Sequence, residues 1–459
     1  MDEKVLEEKI SEEELRERAQ AAFSSKKIPK EISFIKCQFT DMQGGIREVT
    51  TSKEALARGY TSVDGSSAFG KIVPPTESDL ILVPDWETFT QIPWLNNTAR
   101  VICDVYKPNL EPFAGCSRTI LKKVEKMMEK TLENRVKEIY QNKITKYHAH
   151  FAPEVEFLLL PESYDIINLL TDSTIKNNHY FIQPSTVIDE ILKEIMNNLE
   201  KMGIKRAKYH TEVATYQYEI VMEYGNALRI ADATMTLKSL IKEVAKLHKH
   251  KASFIPKFKE DVNGSGMHLH QSLAVTINGT IYNLFYDYEK KQLSSIAKQY
   301  IAGILKHAKE ITAITNPLPI SYKRLVPGYE APTVISWDYE NRTALCKVSC
   351  NENQTRVEYR SPDPSCNPYL CIAAILAAGL SGIEARLELG ECEKKDYYHE
   401  EKAEMLPRNL HEALEYMNRS IMLRKWLGDF IIDSLYKLGI NEWKEYSKKV
   451  SNIDLERYF

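Results

Sequence analysis

The 459-residue sequence has no surplus of positive charge: 61 Lys and Arg stand against 64 Asp and Glu, a formal charge of −3. Without a basic excess nothing offsets a phosphate backbone, which excludes nucleic-acid binding as the main task. Nor is there an apolar run long enough to span a bilayer. The longest, Tyr369-Leu-Cys-Ile-Ala-Ala-Ile-Leu-Ala-Ala-Gly-Leu, predicts a buried helix and no membrane partner. The charged, acidic start lacks the apolar stretch of a secretory signal, so a cytoplasmic location is expected. The eight cysteines show no metal-type Cys-x-x-Cys spacing, and Cys37, Cys103 and Cys371 sit in apolar runs where a thiol packs as a small core residue. A disulfide framework is not expected. Cys346 and Cys350, four apart on an expected strand, stand too far apart to bridge. No internal repeat or low-complexity tract is evident.

What is present is enough chain for two or three domains, with 43% hydrophobic residues to fill a large core. Residues 2–22, rich in Glu, Lys, Arg and Leu, predict a charged helix used in packing or assembly, and Ser24-Ser-Lys-Lys-Ile-Pro29 breaks it. From Ile32 to about Pro112 short β-rich runs alternate with turns, as in a small α+β domain. Beyond Arg118 long amphipathic helices are separated by strands. Ser185–Met202 has a capping serine and a terminating Gly203, and Asn367-Pro368 opens another helix with proline at its first position.

The chemistry sits on those later strands. In Ala-Pro-Glu154-Val-Glu156-Phe-Leu-Leu-Leu the two carboxylates share one face of an extended run. The same period aligns His268, His270 and Ser272, and it aligns Arg356, Glu358 and Arg360. Glu212 and Glu219 are an odd number apart and converge only if the residues between them bend the chain. An isolated Glu-x-Glu is usually a solvated face, and an isolated His-x-His two surface imidazoles. Embedded in apolar sequence, carboxylates need cations or protons. Hard oxygen donors with one imidazole suit Mg²⁺ or Mn²⁺ better than zinc, and so point to phosphate chemistry. Strands that carry inward Glu, His and Arg cannot build a purely apolar core, so the sheet should line a polar cleft.

Glu154-Val-Glu156-Phe, His210-Thr-Glu212-Val-Ala, Asn263-Gly-Ser-Gly-Met-His268-Leu-His270-Gln-Ser-Leu, Ser321-Tyr-Lys-Arg324-Leu-Val-Pro-Gly-Tyr-Glu330-Ala-Pro, Asn341-Arg342-Thr-Ala and Arg356-Val-Glu358-Tyr-Arg360-Ser-Pro-Asp-Pro follow in order along the chain. This series resembles the type I glutamine synthetases. With Asp64-Gly-Ser-Ser67 and Asn367-Pro-Tyr-Leu the resemblance covers residues 31–459. It implies an α+β fold. A helical extension (1–30) and a β-grasp domain (31–113) would precede a catalytic domain (114–459) whose curved antiparallel sheet, a half-barrel, is covered by helices.

The resemblance also implies roles. Glu156, Glu212 and Glu219 would hold one Mg²⁺ or Mn²⁺, and Glu154, His268 and Glu358 a second. Arg324 and Arg360 match the glutamate-binding and phosphate-stabilising residues, with Asn263, Gly264 and His268 seating the amino acid. Arg342 and Arg356 match residues around the phosphates of ATP, joined by His270 and Ser272. Asp64 and Ser67 would come from a neighbouring subunit of a homododecamer, two stacked hexameric rings, and complete an ammonium site with Tyr180, Glu212 and Glu330; Pro327-Gly328 would let the Glu330 segment move. The implied reaction joins glutamate and ammonium with ATP. Several positions depart from the family pattern: Lys347 replaces an arginine beside the nucleotide, Thr211 a second histidine, Thr215-Tyr216 a Pro-Gly pair, and Ala152 a glycine. Tyr397 and Tyr398 fall near a segment that is adenylylated in some relatives, with unlike flanking sequence. Two alternatives are a ligase joining glutamate to an organic amine or polyamine, and a catalytically silent structural or regulatory relative.

Overall fold

The first helix, Glu12–Ser24, opens where the hydroxyl of Ser11 accepts from the Glu14 amide, and it turns Leu15, Ala19 and Ala22 inward. A computed structural model describes residues 9–24, 28–140, 144–165, 169, 171–400 and 403–458. The expected helix over 2–22 is thus seen from Glu12 onward; residues 2–8 and part of the breaker lie outside the described residues. Leu15 clusters with Ile10, Ile81 and Val83, so the helix packs on the sheet that follows.

That sheet holds β1 (Phe34–Thr40), β2 (Ile46–Ser52), β3 (Thr61–Asp64), β4 (Asp79–Gln91) and β5 (Thr98–Tyr106) in the order β2-β1-β5-β4-β3. β1 and β5 run parallel and the other neighbours antiparallel.

A ten-stranded sheet follows. It is built on β6 (Ile144–Pro161), β7 (Arg206–Thr211), β8 (Gln217–Met222), β9 (Gly225–Asn226), β10 (His250–Ser253), β11 (Met267–Ile277) and β12 (Thr280–Asn283). After a small pair, β13 (Tyr286–Asp287) and β14 (Gln292–Leu293), it is completed by β15 (Trp337–Tyr339), β16 (Cys346–Ser349) and β17 (Arg356–Tyr359). The main path is β15-β16-β17-β11-β6-β8-β7, a half-barrel in which β15 and β16 form the parallel pair.

Strand alternation gives the sheet its two faces. On β6, Phe151, Val155, Phe157 and Leu159 are fully buried against the helices, while Glu154 and Glu156 point the other way. β8 repeats this with Ile220 and Met222 against Gln217 and Glu219, β11 with Met267 and Leu269 against His268 and His270, and β17 with Val357 and Tyr359 against Glu358. Helices Thr186–Lys201, Ala227–Leu247, Ser295–Lys306 and Pro368–Glu384 supply the covering apolar layer. The last contains the long apolar run, and its start is capped as expected: Asn367 accepts from the amides of Tyr369 and Leu370 ahead of Pro368. Ser185 holds the N-cap position of Thr186–Lys201, but its hydroxyl makes no capping bond. All eight cysteines are free, and among the described residues no helix is long and apolar enough to cross a membrane.

Buried charge joins the smaller sheet to the helices that cover the larger one. Arg118, 4% exposed in its side chain, bonds Asp85 on β4 (2.7 Å), Asp104 on β5 (2.9 Å) and Asp232 on helix Ala227–Leu247 (2.8 Å), while Lys122 reaches Asp104 (2.5 Å) and the Tyr369 hydroxyl donates to Asp232 (2.6 Å). Removing Arg118 takes the shared counter-charge from three aspartates and leaves Asp232 with the Tyr369 hydroxyl and Asp85 and Asp104 with Lys122 alone. Arg118→Met is therefore expected to cost about 3–5 kcal/mol in urea unfolding, and Asp85→Asn, at the more exposed edge, clearly less; equal effects would show that the network does not act as the join.

Candidate functional site

The inward face of the large sheet forms an open, polar cleft. Its lining includes all six residues expected to hold metal, Glu154, Glu156, Glu212, Glu219, His268 and Glu358, together with Tyr180, Asn263, Gly264, Arg324, Glu330, Arg342, Lys347 and Arg360. Pairing registers bring these together from distant sequence: His268 lies opposite Glu154, Glu156 opposite Glu219, and His270 opposite Glu358.

At one end, Glu154 faces His268 Nδ1 at 3.3 Å and His270 Nε2 at 3.0 Å, and His268 Nδ1 stands 3.5 Å from Glu358. Arg356 Nε donates to His270 Nδ1 at 3.3 Å, which leaves the His270 proton on Nε2, pointing at Glu154. Burial opposes ionisation of Glu154, but the hydrogen bonds from His268 and His270 outweigh it and hold its pKa below the usual range. For Glu358 burial is likewise overcome, by Arg360 and the two histidines, and its pKa falls to about 2. Burial and the Arg360 charge push His268 down to about 4, so its imidazole is neutral near pH 7, as a ligand must be.

The other end is short of positive charge. Oxygen and nitrogen atoms of His210, Glu212 and Glu219 lie within 4.8 Å of one another, with His210 at 3.0 Å from Glu219 and 3.5 Å from Glu212. Glu156 stands beside this group, its Oε2 accepting from Gln217 Nε2 and from the Gly266 amide, each at 2.9 Å. Burial, then repulsion from Glu212 and Glu219, drives Glu156 well above the carboxylate range; burial and Glu219 raise Glu212 to about 7. Buried carboxylates that cannot ionise without a counter-charge fit a divalent cation, and oxygen donors with one imidazole favour a hard one.

Sequence reasoning did not single out His210 or Gln217. His210 precedes Glu212 by one strand period and pairs in register with Glu219, and Gln217 bears the same relation to Glu219; the alternation was available at both positions. The bend required between Glu212 and Glu219 exists: β7 and β8 form a hairpin in which Tyr216 takes φ +66°, at the place where the family pattern has glycine. A left-handed non-glycine residue stores strain of about 1 kcal/mol, and the Tyr216 ring rests on Tyr164 with centroids 5.5 Å apart.

Other expected residues lie at the margins. Lys347 bonds the cleft carboxylate Glu358 at 3.0 Å. His270, Ser272 and Arg356 continue the inward rows of β11 and β17 beyond the cleft lining. Asp64 and Ser67 are outside this chain's cleft: Asp64 caps the short helix Gly65–Phe69, and hydrogen bonds from Ser67 and Ser66 pull its exposed carboxylate down to about 2. Tyr397 is buried with its hydroxyl on the Trp337 carbonyl (3.4 Å), and the Tyr398 hydroxyl lies on the carbonyl of Arg342 (3.3 Å).

Residues 31–108 match the family model described as the glutamine synthetase beta-Grasp domain, and residues 115–458 match that of the glutamine synthetase catalytic domain. The protein named glutamine synthetase from Thermotoga maritima is 39% identical over 444 residues, covering 93% of this chain and 96% of the relative. The one from Halobacterium salinarum is 36% identical over 443 residues, covering 93% of each. A solved structure described as a GmaS/ADP complex superposes with a TM-score of 0.80 at 28% identity, covering 97% of this chain and 99% of that one.

Without metal, the folded chain retains a proton on Glu212 between pH 4.5 and about 7 that the unfolded chain has released, so stability falls as pH rises through that window. Glu212→Gln removes this loss. The metal-free variant should exceed the wild type at pH 8 by about 1–3 kcal/mol in urea unfolding, with the gap closing toward pH 4.5. Saturating Mg²⁺ or Mn²⁺ should close it at pH 8 by stabilising the wild type. A gap independent of pH would mean that Glu212 carries no such burden.

Proposed function

Because this chain belongs to the glutamine synthetase family and is an enzyme of it, we propose that it joins ammonia to the side-chain carboxylate of L-glutamate. The reaction uses ATP and passes through γ-glutamyl phosphate to glutamine, ADP and phosphate. The observation that carries this reading is the meeting of two carboxylate–imidazole clusters with Arg324, Arg342 and Arg360 in one cleft. Phosphoryl transfer to a carboxylate gathers negative oxygens that must be neutralised together. Use of ATP and divalent cations is general to the family. Here Mg²⁺ or Mn²⁺, two or more per site, would be held by Glu156, Glu212 and Glu219 beside His210 and by Glu154, His268 and Glu358, and would draw charge from the phosphate oxygens.

The chain's own residues do the rest. Arg324 is buried and fixed by donating to the Ser361 carbonyl at 2.6 Å, so its fork is already set for a carboxylate. Asn263 and Gly264 seat the amino acid beside it; a Cβ on Gly264 would meet the Pro256 carbonyl at 2.2 Å. Arg360, paired with Glu358, faces the transferred phosphate. Arg342 is hydrogen-bonded to Tyr180 and, with Arg356, His270, Ser272 and Lys347, holds the nucleotide phosphates. Glu330, Glu212 and Tyr180 enclose the ammonium ion. Asp64, ionised and exposed on its own chain, closes that cage from a neighbouring copy, where it takes the proton that turns ammonium into the attacking ammonia. This arrangement needs an assembly, for which we propose a homododecamer of two hexameric rings.

Two measurements test the reading. A small cation gains from every carboxylate of the cage, whereas an alkylamine adds bulk beside Tyr180 and gives up a donor, so kcat/KM for ammonia should exceed that for methylamine and ethanolamine by at least about tenfold. The opposite order, at saturating ATP and glutamate, would establish the organic-amine ligase instead and direct attention to Thr215-Tyr216. Asp64→Ala and Glu358→Ala, each inactive, should regain part of the activity when dissociated, mixed and reassembled, because some interfaces pair an intact turn with an intact cleft. Mixed oligomers without activity would place Asp64 outside the site.

A further inference from the structure

Beyond the short helix Ser321–Arg324, residues 325–332 run without strand or helix, and Tyr329 and Glu330 line the cleft. The backbone bonds at the start of this segment are local, Leu325 to Ser321 and Val326 to Arg324, and pairing with the rest of the fold resumes where Leu406 donates to Thr333 and Val334 bridges Met405. In between, Gly328 has φ +89° with open space around it, and Glu330 has φ +56°, an uncommon conformation for a residue with a side chain. The backbone alone therefore does little to fix where Glu330 stands.

Two side-chain contacts tie the segment to the loop between β10 and β11. Asn263 Nδ2 donates to Glu330 at 2.9 Å, and Lys257 Nζ lies 3.8 Å from the centroid of the Tyr329 ring. Lys257 is 5% exposed, and its ammonium donates to the Val262 carbonyl at 2.5 Å. A buried ammonium has three protons to satisfy, and one carbonyl does not suffice. The negative face of an aromatic ring supplies part of the remainder, most strongly where water is excluded. Burial lowers the pKa of Lys257 to about 8, which leaves it charged at neutral pH.

We propose that Lys257 is a positioning residue: its ammonium, held by Val262, clamps the Tyr329 ring and so sets the place of Glu330 in the cleft. The clamp follows from geometry, and only its effect on turnover rests on the proposed reaction. If Glu330 helps enclose the amine, a loosened clamp lets water compete for γ-glutamyl phosphate: the water oxygen bonds the acyl carbon, the carbon–oxygen bond to phosphate breaks with its electron pair leaving on phosphate, the water's proton passes to solvent, and glutamate is regenerated as phosphate is released. More ADP would then form than glutamine.

The test compares Lys257→Met and Tyr329→Leu, which remove the cation and the ring, with Lys257→Arg and Tyr329→Phe, which keep them, all in the full-length assembled protein. Hydrogen exchange of peptides spanning 325–332 should quicken by about 2- to 30-fold in the first two, the range expected for losing a cation–π contact, and change little in the second two. The double variant Lys257→Met/Tyr329→Leu should add nothing to either single one. The ratio of ADP to glutamine should rise in the same variants, together with KM for ammonia. Unchanged exchange in both Lys257→Met and Tyr329→Leu, or effects that add, would overturn the clamp. Faster exchange with the product ratio unaltered would leave the clamp standing and count instead against the proposed role of Glu330. Tyr329, half-buried on an irregular segment, provides the arm that does not depend on replacing a buried lysine.

Discussion

Repulsion among Glu154, Glu156, Glu212, Glu219 and Glu358, confined to one cleft, is the constraint to which the rest of the molecule answers. Two unit charges 4 Å apart near a protein surface repel by about 4 kcal/mol. Ordinary side chains escape such a cost by turning toward water. These cannot, because register puts Glu156 directly across from Glu219 and sets Glu154 and Glu358 on either side of β11, and the opposite face of the same strands is locked into the largest apolar cluster among the described residues. Ile220, Val155, Leu269 and Val357 are completely or almost completely buried, so no strand can rotate to release its carboxylate without exposing its core face. Apolar packing on one side thus holds together a charge arrangement that would not assemble on its own.

The supports around the cleft follow from the same constraint. Gln217 and the Gly266 amide both donate to one oxygen of Glu156, which keeps a buried carboxyl from being left without a partner. Arg324 is fixed from behind by backbone carbonyls of Arg360 and Ser361, so its charge is delivered into the cleft without a mobile side chain to order. At the far edge Arg118 performs a similar service for three aspartates and so ties the smaller sheet, which carries the Asp64 turn, to helix Ala227–Leu247, which covers the larger one. The same pairing of acid and guanidinium is used twice, once to close the scaffold and once to poise the site.

How much of this was legible in the sequence depends on the period involved. Alternation along single strands put Glu154 with Glu156 and Arg356 with Glu358 on common faces, and the apolar run after Asn367-Pro368 announced a buried helix; each of these depends on neighbours two to four residues apart. Cross-strand partners are set by register, which no local period reveals. Alternation puts His210 and Gln217 on the faces of Glu212 and Glu219, but only register shows that the His210 imidazole answers both of those carboxylates and that Gln217 bonds Glu156 across the sheet. The convergence of Glu212 and Glu219 was foreseen only as a requirement for a bend, because a left-handed Tyr216 is not something residue type announces. Lys347 was assigned to the nucleotide by its place beside the Asn341-Arg342 motif; the fold adds that it stands on Glu358, through the pairing of β16 with β17.

The last consequence is an asymmetry between the two ends of the cleft. Around Glu154 and Glu358 the protein supplies Arg360, Lys347 and two imidazoles, and both carboxylates are held in their charged form. Around Glu156, Glu212 and Glu219 it supplies His210 and hydrogen-bond donors, and all three carboxylates are raised, chiefly by burial. A cation arriving at the first end competes with guanidinium and ammonium groups already in place; at the second it relieves a deficit and frees protons. A divalent cation at the second end would therefore stabilise the fold more than one at the first. At the first end Arg360 and Lys347 already neutralise Glu358, so a cation there has less charge left to answer. The charge balance written into six neighbouring strands, β16-β17-β11-β6-β8-β7, thus leaves one end of the cleft compensated and the other in deficit.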